Sequence, residues 1–107
     1  MKNIFSGLFR QTETITEKQV ERNFVKAVKE AGGLAMKFVS PGRVGVPDRI
    51  VLFPGGRVIF AEIKRPGERL RKSQEVACRE IRAKGCPVHV IRTNADIRFF
   101  CERYANG

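Results

Sequence analysis

An α/β domain, a mixed sheet flanked by helices, is the fold class that three features of the sequence predict. Apolar residues recur at helical spacing near the start, after the middle and at the end of the chain, with short β-rich runs between them. Two of those runs, Asp48 to Phe53 and Arg57 to Arg65, are separated by Pro54-Gly55-Gly56, the signal of a β-hairpin. The 107 residues suffice for one hydrophobic core, and no repeat or long linker divides them, so a single domain over residues 1–107 is expected, with 1–15 as an N-terminal extension.

Each element has a local cause. Thr16-Glu17-Lys18-Gln19 has the form of a capping box, in which a Thr hydroxyl and a Gln side chain satisfy free N–H groups reciprocally. A helix starts there; Val20, Phe24, Ala27, Val28 and Ala31 form its apolar stripe, and Gly32-Gly33 ends it. Glu21 borders that stripe, an acid leaning inward. Leu34 to Val39 reads as a strand, and the glycines and prolines of Ser40 to Pro47 then forbid regular structure. After the hairpin, Arg65-Pro66-Gly67 stops the chain and a helix runs from about Arg71 to Lys84, with Gln74, Ala77, Cys78 and Ile81 on one face. Pro87 to Arg92 is a further strand. Thr93 caps a last helix carrying Ile97, Phe100, Cys101 and Tyr104 on one side.

Composition narrows the function. Hydrophobic residues make up 42% and charged ones 30%, the balance of a globular domain. Twenty-one Lys and Arg against eleven Asp and Glu leave +10, an electrostatic footprint suited to a polyanion. Nucleic acid is the expected partner. Membrane is not, because no apolar run approaches the roughly 20 residues of a spanning helix. The first nine residues lack a signal-peptide core, so a cytoplasmic location in a bacterial or phage-infected cell is expected. Cys78, Cys86 and Cys101 show no C-x-x-C spacing and read as packed thiols. His89, the one histidine, sits inside an apolar run, where a structural role is expected.

The few acids carry the most information. With a three-residue loop at Pro54 to Gly56, Phe53 faces Arg57 and paired positions sum to 110, so Asp48 falls opposite Glu62. Directly opposed side chains approach to roughly 5 Å, and like charges there destabilise a sheet. Either one acid takes up a proton or a divalent cation binds between them. Oxygen ligands alone favour a hard ion, Mg²⁺ or Mn²⁺. The bland reading is equally open: Asp48 caps the loop, and Glu62 pairs with Lys64 or an arginine. Lys64 lies on the same strand face as Glu62, about 7 Å along.

Read whole, Pro47-Asp48, thirteen intervening residues and then Glu62-Ile63-Lys64 on a hydrophobic strand resemble the PD-(D/E)XK nuclease superfamily. Within it, Glu21, Gly45-Val46-Pro47-Asp48, Glu62-Ile63-Lys64, Gly67 and Gln74 resemble the VRR-NUC family over residues 16–92. The resemblance implies a restriction-endonuclease-like α-β-β-β-α-β core, here with an extra C-terminal helix. It also implies an Mg²⁺-dependent phosphodiesterase, an endodeoxyribonuclease in which Mn²⁺ substitutes and no small-molecule cofactor takes part. By the same resemblance Glu21, Asp48, Glu62 and the Ile63 main-chain carbonyl hold the metal, Lys64 orients or activates water, and Gln74 lines the site. After Gly67 the sequence departs from the family's usual Leu-Ser-Pro helix start, with Leu70-Arg71-Lys72-Ser73 in its place.

The substrate surface is expected to be basic and blind to base sequence. Arg65, Arg69, Arg71 and Lys72 follow the catalytic strand, at a loop and helix start where side chains and free N–H groups meet phosphate. Arg43 and Arg49 flank the glycine loop, and Lys37 precedes it. Arg79, Arg82 and Lys84 read as a solvated helix face. The resemblance implies branched DNA, four-way (Holliday) junctions above all, cut during DNA repair by a homodimer. Ile4, Phe5, Leu8 and Phe9, or Phe99, Phe100 and Tyr104, would supply the dimer contact or else complete the core. Two other functions stay open: a nucleic-acid-binding module without catalysis, and the same chemistry on flaps, nicks or single strands.

Overall fold

A computed structural model describes residues 15–105. Helix α1 spans Glu17–Glu30, and strands β1 (Leu34–Lys37), β2 (Arg49–Phe53) and β3 (Arg57–Ile63) follow. Helix α2 (Lys72–Ala83) crosses over to β4 (Val88–Ile91), and α3 (Asn94–Tyr104) closes the described chain. The expected order holds, with the strands one or two residues shorter than their apolar runs. Ile4, Phe5, Leu8 and Phe9, expected at a dimer contact or in the core, lie outside the described residues.

The sheet runs β1-β2-β3-β4, antiparallel across the first three strands and parallel between β3 and β4. The hairpin closes in the predicted register: Phe53 pairs with Arg57 and Arg49 with Ala61. Local capping behaves as read. Thr16 Oγ1 accepts from the Gln19 N–H at 3.2 Å, and the Gln19 side chain accepts from the Thr16 N–H at 2.9 Å. Thr93 and Asp96 do the same for α3, at 3.1 and 3.2 Å.

Alternation along β3 divides the molecule. Ile59, Ala61 and Ile63 point to the face covered by α1 and α3, where they join Val20, Phe24, Val28, Val51, Phe53, Ile91, Ile97 and Phe100 in one core. Phe24 and Phe100 meet edge to face at its centre, with ring centroids 5.0 Å apart. Phe100 is thus fully buried in its own protomer, while its neighbour Phe99 is 56% exposed. His89 takes the structural place expected of it: its Nε2 lies 2.5 Å from the Tyr104 hydroxyl, and Phe100 packs across its ring. The three cysteines are free thiols. Among the described residues no helix is long and apolar enough to cross a membrane.

Candidate active site

The opposite face of β3 carries Glu62, and Lys64 follows just beyond the strand. Both are buried, Glu62 to 1% exposure and Lys64 to 4%, on the side that α2 covers with Gln74, Ala77 and Cys78. Burying an acid and an ammonium is costly unless each has partners, so the surroundings of this pair decide what it is for.

Asp48 precedes β2 and extends the hairpin register to Glu62. Its carbonyl accepts from the Phe38 N–H at 2.9 Å, and its Oδ2 accepts from the Ile63 N–H at 2.8 Å. A side chain thus replaces the next rung of the ladder at the strand end, which fixes the carboxylate against β3. Gly45 makes this approach possible. Its φ is +87°, and a Cβ there would lie 2.5 Å from the Ser73 carbonyl oxygen at the start of α2. The Gly45-Val46-Pro47-Asp48 segment therefore rests directly on the helix that carries Gln74.

Gln74 locks the other side. Its Oε1 accepts from the Arg71 N–H at 2.8 Å, a helix-start bond of the capping-box kind, and this turns its Nε2 toward Glu62 Oε2, also at 2.8 Å. The departure at Leu70 to Ser73 leaves the helix start where the sequence placed it, with the glutamine itself supplying the cap. Glu62 Oε2 is occupied in this way, while Oε1 is buried with no hydrogen-bond partner. Burial, and then the adjacent Asp48 carboxylate, push the Glu62 pKa up to about 8, against a downward pull from Lys64. Lys64 pairs with Glu62 as the structural alternative expects, with Nζ 3.9 Å from Oε2, beyond hydrogen-bond distance.

Asp48, Glu62, Lys64 and Gln74 are thus brought together, and Ile63 presents its amide to Asp48. Glu21 is not with them. Its Oε2 accepts from Arg49 Nε at 3.0 Å, on the α1 side of the sheet. The expected set of three converging carboxylates is corrected accordingly: Arg49 alternates to the face opposite Glu62 and draws Glu21 there. Among the described residues no three His, Cys, Asp or Glu side chains form a metal-holding group. The helix acid nearest in charge to the site is Glu17, one turn earlier; its pKa is raised by burial, by Glu68 and by Asp48. Sequence reading passed over both Glu17 and Glu68. Glu17 lies one helical turn before Glu21 and shares its face, which was the available signal.

Of the predicted carboxylate ligands, Asp48 and Glu62 are brought together, and they fit a hard divalent ion. Glu62 Oε1 is an acceptor without a donor, the Asp48 repulsion is relieved by positive charge, and Mg²⁺ commonly takes only one or two carboxylates from a protein. Of the basic residues, Lys37, Arg65, Arg69, Arg71 and Lys72 are exposed. Arg43 is spent on an ion pair with Glu80 of α2, and Arg49 on Glu21 and the Ala35 carbonyl. Arg49, largely buried in these contacts, does not offer the free guanidinium expected of a phosphate contact, whereas the Arg43 pair is exposed.

Comparison with known proteins says which family the fold and site belong to. Residues 9–95 match the family model of the VRR-NUC domain. A solved VRR-NUC domain structure superposes with a TM-score of 0.76 at 27% identity, covering 82% of this chain and 96% of that one. "Putative nuclease p44" of Acyrthosiphon pisum secondary endosymbiont phage 1 is 54% identical over 55 residues, which make up 51% of this chain and 59% of that relative. The chain therefore spans less than two thirds of that curated relative's length. It belongs to the VRR-NUC domain family.

Proposed function

We propose that this protein is a metal-dependent endonuclease that hydrolyses DNA phosphodiester bonds. The observation that carries the reading is the buried Glu62 carboxylate, one oxygen held by Gln74 and the other without a partner, beside a second carboxylate and a lysine. A structural acid would have been satisfied by the fold. This one keeps a buried acceptor unmet, which a cation would satisfy.

Asp48 and Glu62 would hold Mg²⁺, or Mn²⁺ in its place. The bound ion supplies charge neutralisation at the phosphoryl group and a more acidic water. Asp48 is aimed by the Ile63 amide and Glu62 by Gln74, so neither reorganises when substrate arrives. Lys64 places its ammonium near Glu62, where it orients the attacking water or a non-bridging phosphate oxygen. Water adds to phosphorus, the P–O bond to one deoxyribose oxygen breaks, and the proton the water gives up ends on the departing oxygen. Lys37, Arg65, Arg69, Arg71 and Lys72 supply cationic contacts to the phosphate backbone.

A preference for branched DNA, such as a four-way junction, fits recognition through backbone and shape. One protomer offers little surface to a duplex, so a two-fold dimer placing one site on each of two strands completes the proposal. The test is incubation with end-labelled linear, nicked, flap and four-way DNA in Mg²⁺, Mn²⁺ or chelator, with sedimentation of the free protein in parallel. Metal-dependent nicking, strongest on the junction and by a dimer, is expected. Binding without cleavage in either metal would make the protein a recognition module, and equal cutting of every DNA would remove the branch preference.

A further inference from the structure

Lys64 is buried, yet no carboxylate makes a direct contact with it. Its Nζ stands 3.9 Å from Glu62 Oε2 on one side and 4.0 Å from Glu68 Oε2 on the other. The ammonium thus lies within ion-pair distance of two acids, one in the candidate site and one outside every motif the sequence offers, with Glu17 of α1 adding negative charge beside Glu68. Resting on the nuclease reading above, we infer that Glu68 is a positioning residue. It holds the Lys64 ammonium away from Glu62, so that the ammonium stays free for the reacting water or phosphate.

Glu68 is built into its place. Arg65-Pro66-Gly67-Glu68 is a tight turn closed by the Glu68 N–H on the Arg65 carbonyl at 3.1 Å, with Gly67 at φ +82° in the third position, which demands glycine. The turn folds the chain back, so the side chain four residues after Lys64 returns to it. Arg92, just past β4, donates Nε to the Glu68 carbonyl at 2.8 Å and ties the turn to the sheet. The carboxylate is then divided between two duties. Oε1 receives the Arg65 amide at 3.4 Å and faces the Arg65 guanidinium at 3.8 Å, which leaves Oε2 for Lys64. A surface glutamate with only its solubility to serve would have no reason to be anchored at both backbone and side chain.

Physical chemistry supplies the consequence. An ammonium shared by two carboxylates at nearly equal distance is drawn to both; with Glu68 neutralised the pull toward Glu62 is left unbalanced and it closes on Glu62. Direct contact with Glu62 Oε2, the oxygen Gln74 already holds, would take Nζ from the reacting atoms.

The test compares wild type, Glu68→Gln and Glu68→Asp in two measurements. Crystal structures of the metal-free proteins read the Lys64 Nζ to Glu62 Oε2 distance, and steady-state cleavage of a labelled four-way junction in Mg²⁺ reads kcat and KM. In Glu68→Gln the distance is expected to shorten to a direct ion pair of about 2.8 Å. Its kcat falls about tenfold to a hundredfold, the order an ångström of misplacement costs, with KM nearly unchanged. Glu68→Asp, which keeps the charge, recovers part of kcat. An unmoved ammonium in Glu68→Gln, or a kcat equal to wild type, overturns the inference. A changed KM with unchanged kcat would instead make Glu68 a charge along the DNA path. If wild type itself fails to cleave, the nuclease reading falls while the crystallographic comparison still decides what positions Lys64.

Discussion

The two faces of β3 have opposite chemistry within seven residues of chain. Ile59, Ala61 and Ile63 lie under α1 and α3 in an apolar core whose aromatic rings pack edge to face, and every group there is satisfied by burial. On the other face Glu62 lies as deeply buried, with an unpartnered oxygen and a pKa pushed to about 8 by that burial and by Asp48. One side of the strand stabilises the fold, and the other is stabilised by it. Burial depth therefore does not separate structural from functional residues here; unmet bonding capacity does.

Substitutions should separate the two faces cleanly. Asp48→Ala is expected to lower metal-dependent cleavage by at least ~10³-fold, about 4 kcal/mol of transition-state stabilisation. It gives up one bond to the Ile63 amide, so its folding cost is about 1 kcal/mol. Parallel activity and urea-unfolding measurements check this, and activity within tenfold of wild type would remove Asp48 from the site. Phe100→Ala is the mirror experiment. Loss of the ring that touches Phe24, Phe53, His89 and Tyr104 should cost about 3–4 kcal/mol of stability, while kcat per folded molecule stays near wild type. A folded, stable Phe100→Ala protein with failed chemistry would join the two faces after all.

Two pH experiments sharpen the comparison with smaller effects. The folded pKa of Glu62 is raised from 4.5 to about 8, so its contribution is fully present below pH 4.5 and is lost as pH rises through 8. Glu62→Gln cannot ionise, so in chelator it should exceed wild-type stability at pH 8 by about 1–2 kcal/mol while abolishing cleavage. The gain should vanish near pH 5; an equal difference at both pH values would refute the assignment. His89 has the opposite sign. Burial, Arg103 and then Arg82 lower its pKa from 6.5, so stability present above 6.5 is lost as pH falls below it. Glu62→Gln melting curves between pH 7 and 5 should therefore decline, and adding His89→Gln should flatten that decline. A slope unchanged by the second substitution would show that His89 does not set it.

Much of this was legible in the sequence because it was local or periodic. The capping boxes at Thr16 and Thr93 were readable from residues three apart, and the pairing sum of 110 followed from the length of one turn. That sum alone put Asp48 beside Glu62. Glu21 was misplaced because its face depends on where Arg49 points, a matter of how helix α1 meets the sheet. Arg43 likewise looked free until α2 brought Glu80 to it. Glu68 was invisible as a partner of Lys64, since the turn between them had been read only as the end of a strand.

What the sequence determined by itself was the order of elements, the hairpin register and the pair of acids at the strand end. Those depend on short-range sterics, hydrogen bonding and the two-residue period of a strand. Which charges meet, which are spent on one another and which oxygen is left without a partner were decided only by tertiary structure. Electrostatic energy depends on distance and burial, and neither is fixed until the helices are seated on the sheet.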